Sequence, residues 1–96
     1  MIDYSQIPES TRYALDAWAE RAQLPGGFVA AVLRNDLFDA IGRADESNIA
    51  AIHSIVAYVY NEMPAACWGS REKCAAWMRA HPIERETDDA IDEGNL

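Results

Sequence analysis

Pro25-Gly26-Gly27-Phe28 opens a strongly apolar helical stretch in the first third of the chain. Two adjacent glycines at the start of a helix leave the backbone N–H groups uncovered, because neither residue carries a Cβ. Such a segment suits a phosphate or another anion. It also suits a plain tight turn between two helices, since Pro-Gly is a common turn dipeptide. The residues on either side decide between an anion site and a plain turn.

Apolar spacing on both sides of this segment predicts four helices and no sheet. Pro8 and Glu9 mark the start of the first helix, which runs to about residue 22. The other three are predicted over residues 26–42, 45–63 and 70–81, and Ser70 is the expected N-cap of the last. A polar link at residues 43–46 joins the second and third into an antiparallel hairpin. The predicted fold is therefore all-α, a small helical hairpin with an N-terminal helix and a short C-terminal helix.

The third predicted helix is apolar over more than one face. Asp45 is a good N-cap for it, and Ala51 and Tyr58 widen its apolar stripe. A helix with so wide an apolar arc packs against two neighbours, one of which we expect to be another subunit. We predict that residues 1–82 form a single domain that assembles as a compact homo-oligomer.

Charge is distributed unevenly along the 96 residues, whose net charge is −8. Residues 82–96 hold six acidic residues against Arg85 alone, and they show no apolar periodicity. Residues 83–96 are therefore predicted to be a disordered acidic tail. The preceding 81 residues carry ten acidic and seven basic residues. That balance argues against binding to duplex DNA, which needs clustered Lys and Arg.

The sequence contains no apolar run of membrane-spanning length and no secretory signal pattern, so we expect a soluble cytoplasmic protein. Cys67 and Cys74 match no zinc spacing with His53 and His81, and we expect free thiols, no metal and no cofactor. His53 has no activated nucleophile beside it, because the neighbouring Ser54 faces elsewhere on the helix. Walker, Rossmann and zinc-protease motifs are missing from the sequence as well. The protein is therefore not expected to be an enzyme.

Two predicted helices begin with small residues, one at Gly26-Gly27 and one at Gly69-Ser70, the latter followed directly by Arg71. Aromatic residues lie close to them in sequence, namely Tyr13, Phe28 and Trp68. Rings that stack on bases, placed beside backbone that binds phosphate, are what a nucleotide requires. Core packing is the alternative role for Phe28 and Trp68.

The order of these motifs resembles a small family of phage proteins. The matching segments are residues 7–13, 25–37, 43–48, 60–64 and 67–70. Together they are similar to the hairpin domain of the anti-CBASS cyclic-oligonucleotide sponges, a domain shared with the Thoeris anti-defence sponges. The likeness covers roughly residues 7–78 and leaves out the acidic tail.

This resemblance implies an immune-evasion protein of the host bacterial cytoplasm, which sequesters cyclic di- and trinucleotide messengers without cleaving them. Members of the family form hexamers, with dinucleotide pockets between paired protomers and trinucleotide pockets where three protomers meet. The positions that match the dinucleotide pocket are Arg12, Tyr13, Gly26, Gly27 and Phe28. Those that match the trinucleotide pocket are Val29, Ala30, Trp68, Gly69, Ser70 and Arg71.

The chain departs from the family pattern in the basic residues near its two pockets. The family can use a lysine near the glycine segment, whereas Lys73 is the only lysine here. Arg12 or backbone N–H groups would have to supply the positive field at the dinucleotide pocket, and Arg71 is the nearest cation for the trinucleotide pocket.

A different class of function stays open. A small acidic protein can inhibit a host defence complex by imitating the charge of a nucleic acid, a role that the acidic tail would suit.

Overall fold

The computed structural model describes residues 3–81, and all regular secondary structure in this range is helical. Six α-helices follow one another in the described chain: α1 (Glu9–Arg21), α2 (Gly27–Leu33), α3 (Leu37–Arg43), α4 (Glu46–Ala50), α5 (Ile52–Glu62) and α6 (Arg71–Ala80). Short 3-10 turns occupy Tyr4–Gln6 and Ala65–Cys67. The predicted all-α class is confirmed, whereas the predicted acidic tail lies outside the described residues.

The prediction of one helix over residues 26–42 was wrong, because the chain reverses in the middle of this segment. α2 ends at Leu33, and Asn35 adopts a left-handed backbone with a φ of 62°. Asp36 then starts α3 as an N-cap, since its Oδ1 accepts a hydrogen bond of 3.1 Å from the Asp39 N–H. The end of α3 returns to the start of α2, where the Arg43 side chain lies against Gly27. A short helical hairpin therefore lies within residues 27–43.

The helix predicted over residues 45–63 is divided at Ala51 into α4 and α5. The interruption is slight, because the Ala51 carbonyl still accepts a helical hydrogen bond of 2.9 Å from the Ile55 N–H. Both predicted N-caps are confirmed. Asp45 Oδ1 accepts a hydrogen bond of 2.8 Å from the Asn48 N–H, and Ser70 Oγ accepts one of 3.0 Å from the Lys73 N–H.

The core forms where α1, α2 and α5 meet, and its most deeply buried side chains include Leu15, Leu33 and Ile55. Two hydrogen bonds attach the segment before α6 to this core. The buried Trp18 indole N–H donates to the Cys67 carbonyl at 2.8 Å, and the Gly69 N–H donates to the Leu33 carbonyl at 2.7 Å. These bonds place the start of α6 next to the α2–α3 turn. No helix within residues 3–81 combines the length and the apolar character needed to cross a membrane.

Candidate functional site

The two glycines at the start of α2 have different surroundings. A Cβ at Gly26 would meet nothing within 4 Å, so this residue lies in open space. A Cβ at Gly27 would lie 2.7 Å from Nη1 and 3.1 Å from Cδ of Arg43. The Arg43 Nε also contacts Asp39 Oδ1 at 2.9 Å. Arg43, at the end of α3, therefore supplies the cation beside the glycine segment.

The structure gives Arg12 and Tyr13 contacts of their own on α1. The Arg12 guanidinium lies 4.2 Å from the centre of the Tyr58 ring, and its Nε is 3.5 Å from Asp16 Oδ2. The Tyr13 ring is exposed, with its hydroxyl 3.4 Å from Arg21 Nη2. Arg12 is thus held against α5. The atoms nearest to a Cβ at Gly27 belong to Arg43 and not to Arg12. Tyr13 is free to stack on a ligand.

The predicted trinucleotide residues separate into structural and groove-lining positions. Phe28, from the dinucleotide set, and Val29 are buried in the core. Gly69 and Ser70 fix the start of α6 through their hydrogen bonds, and the φ of 120° at Gly69 favours glycine. Ala30 and Arg71 line one groove together, and Trp68 lines another. Ala30, Trp68 and Arg71 are therefore the predicted residues that face cavities.

Two arginines from distant parts of the sequence meet beside the α2–α3 turn. Arg34 and Arg71 both line a cavity of about 420 Å³, whose walls also include Asn35 and the ring of Phe38. The same two arginines line a neighbouring cavity of about 320 Å³ with Ala30. The two cavities share both arginines, and we call them together the arginine groove, defined by Ala30, Arg34, Asn35, Asp36, Phe38 and Arg71. It brings two arginines together, with Asp36 in its lining and Asp39 near Arg34.

Hydrogen-bonding capacity is left over in the arginine groove. The Nε of Arg34 is buried and has no hydrogen-bond partner among residues 3–81. The Arg34 Nη2 lies 3.6 Å from Asp39 Oδ2, longer than a good hydrogen bond. Asp39 is shared with Arg43, which holds it at 2.9 Å. Because this Nε has no accessible surface, an anion in the groove could accept only from the terminal nitrogens of the partly exposed Arg34 side chain.

An apolar groove adjoins the arginine groove. It encloses about 370 Å³ between α3, α5 and the turn before α6, and its walls include Ile41, Val56, Tyr60 and Trp68. The Tyr60 and Trp68 rings lie 5.8 Å apart, tilted by 56°. The two grooves share Asn35, Asp36 and Leu37 in their linings.

The sequence interpretation missed Arg34, Phe38 and Arg43. Arg34 and Phe38 were assigned to one long second helix and Arg43 to the polar link after it, and these assignments bring none of the three to the start of α2 or of α6. The polar run Arg34-Asn35-Asp36 was the available signal, because Asn and Asp favour turns and N-caps.

No protein-family model, no curated protein and no solved structure matches the chain.

Proposed function

We propose that the protein binds cyclic di- or trinucleotide messengers of bacterial anti-phage signalling and sequesters them without cleavage. The observation that carries the proposal is the arginine groove, where Arg34 and Arg71 lie beside the exposed ring of Phe38. The likeness to the sponge family supplies the ligand class. Phage immune evasion in the host cytoplasm is the biological role that this activity would serve.

The chemistry of the groove suits a nucleotide better than it suits the acidic surface of another protein. Two guanidinium groups offer planar pairs of N–H donors, which match phosphate oxygens. Phe38 is 88% exposed, so its ring face is available to a base. Stacking of one base on an aromatic ring contributes on the order of 1–3 kcal/mol. A ligand that carries both a phosphate and a base would use both parts of the groove.

The proposal includes self-association, with a hexamer as the expected state. Support comes from large apolar side chains that α3, α4 and α5 leave exposed, namely Leu37, Ile41, Ile49, Val56 and Tyr60. Such exposed apolar side chains are typical of binding surfaces. Leu37, Ile41, Val56 and Tyr60 also wall the apolar groove, so assembly through them would place that groove at the interface between protomers. Repetition of the groove around a symmetry axis would allow several protomers to contact one cyclic ligand.

Calorimetric titration with a panel of cyclic di- and trinucleotides tests the proposal. We expect Arg34→Gln and Arg71→Gln each to weaken binding by about tenfold or more, because each removes charged hydrogen bonds to phosphate. Arg79→Gln is the matched control, since Arg79 is an exposed arginine on the last turn of α6 and does not line either cavity of the groove. Mass spectrometry of the released ligand should show it intact.

Two results would contradict the proposal. The first is a parent protein that binds no member of the panel. The second is equal affinity in the parent, the two groove variants and the Arg79→Gln control, which would remove the arginine groove from the binding site.

A further inference from the structure

We propose that the apolar groove holds a base of the ligand and that Asp36 makes this base pocket select guanine. The inference rests on the proposed function, because the phosphate of the same ligand lies in the arginine groove. Its basis is the junction of the two grooves at Asn35, Asp36 and Leu37.

The dimensions and walls of the apolar groove suit a planar, mostly apolar group. Its volume of about 370 Å³ falls within the range of about 300–1,000 Å³ that is typical of small-molecule sites. Tyr60 is 71% exposed and Trp68 is half-buried, so both rings offer surface to an occupant. Aliphatic side chains from α3 and α5 form the rest of the wall. A nucleobase has the flat apolar faces that such a pocket accommodates.

Polar groups lie at one end of this groove, on the side that it shares with the arginine groove. Asp36 is half-buried there, and its Oδ1 caps α3 by accepting the Asp39 N–H. An ionised carboxylate has about four lone-pair sites and accepts hydrogen bonds without donating any. It therefore repels phosphate and attracts N–H donors. A phosphate on the arginine side of the junction and a base on the apolar side satisfy both requirements.

Among the bases, guanine fits a carboxylate best. Its N1–H and its exocyclic amino group lie side by side and donate in the same direction, so that one carboxylate can accept from both. Adenine places the acceptor N1 next to its amino donor, which brings a lone pair against the carboxylate. Selection of guanine therefore combines an attraction to one base with a repulsion of the other.

The test compares cyclic di-GMP with cyclic di-AMP by calorimetry, in the parent and in two variants. Asp36→Asn keeps an N-cap of equal quality but removes the charged acceptor, so the fold of α3 is preserved. Asp39→Asn is the matched control, because it removes a carboxylate from the same helix at a position that does not line the apolar groove. We expect the parent to prefer cyclic di-GMP by about tenfold or more. Asp36→Asn should abolish this preference, and Asp39→Asn should change both affinities alike.

Nuclear magnetic resonance locates the base independently of phosphate. Guanosine carries no phosphate, and we expect it to shift the indole N–H signal of Trp68. The signals of Trp18 and Trp77, which do not line the apolar groove, should stay in place. Inosine lacks the exocyclic amino group and should shift Trp68 less.

The outcomes separate the inference from the proposed function. Equal binding of the two cyclic dinucleotides by the parent, or a preference that survives Asp36→Asn, overturns the base pocket and leaves sequestration standing. A parent that binds neither these two nor any cyclic trinucleotide overturns both.

Discussion

Gly27 shows how one missing side chain changes the charge at the start of α2. Its lack of a Cβ leaves room for the Arg43 guanidinium, which would otherwise approach within 2.7 Å. A cation at the positive end of a helix is unfavourable in itself. Asp39 offsets this cost by pairing with Arg43 at 2.9 Å. A Cβ at Gly27 would displace the flexible, exposed Arg43 side chain, whereas a Cβ at Gly26 would displace nothing.

Cys67 provides a prediction about pH. Its side chain is fully buried, and burial raises the pKa of the Cys67 thiol from 9.0 to about 11. The folded protein keeps this proton at pH values where the unfolded chain loses it. The resulting stability is fully present below pH 9 and is lost as the pH rises toward 11.

We therefore expect the free energy of unfolding to decrease more steeply between pH 9 and pH 11 in the parent than in Cys67→Ala. Urea unfolding at several pH values measures both slopes. The alanine variant will be less stable throughout, because it leaves a cavity in the core. The slope is the relevant quantity, and parallel slopes would show that the Cys67 proton is not held by folding.

At the scale of helices, the sequence predicted α1, α6 and the caps of α4 and α6, because these elements depend on local signals. It did not predict the α2–α3 hairpin. The apolar residues at positions 29, 32, 33, 37 and 41 keep helical spacing across the reversal, so periodicity alone cannot detect it. The same error hid part of the candidate site. Arg71, Ala30 and Trp68 were predicted. Phe38 approaches Arg71 because the chain turns at Asn35, and Arg34 does so because the Gly69 N–H bonds to the Leu33 carbonyl at the end of α2.

Asn35 should therefore control the stability of the hairpin. Its φ of 62° lies in the left-handed region, which asparagine tolerates and alanine disfavours by roughly 1–2 kcal/mol. We expect Asn35→Ala to lower the free energy of unfolding by about 1 kcal/mol. Asn35→Gly should have little effect, because glycine adopts this conformation without steric cost. Chemical denaturation of the two variants checks the contrast, and equal stability would mean that the turn does not need a left-handed residue.

At the scale of the whole molecule, α3 and α5 leave large apolar side chains exposed on the protomer, which is where the proposed assembly would bury them. Leu37 is 66% exposed and Val56 is 49% exposed. Burial of one such side chain contributes about 1.5–3 kcal/mol. The wide apolar arc of the predicted third helix was the sequence signal for this face. Packing within the protomer buries Ile55 and Val59 of this arc, whereas Val56 and Tyr60 stay exposed.

A charge placed on this face should therefore prevent assembly without unfolding the protomer. We expect Val56→Glu to convert the parent oligomer into smaller species, because six copies of a carboxylate would be buried in a hexamer without a partner. Ser10→Glu is the matched control. It adds the same charge at an exposed position in the first turn of α1, where a carboxylate is favourable. Sedimentation velocity measures the mass of each species, and circular dichroism checks that the helices are retained. A monomeric parent, or a Val56→Glu variant of unchanged mass, would show that the apolar face does not hold the subunits together.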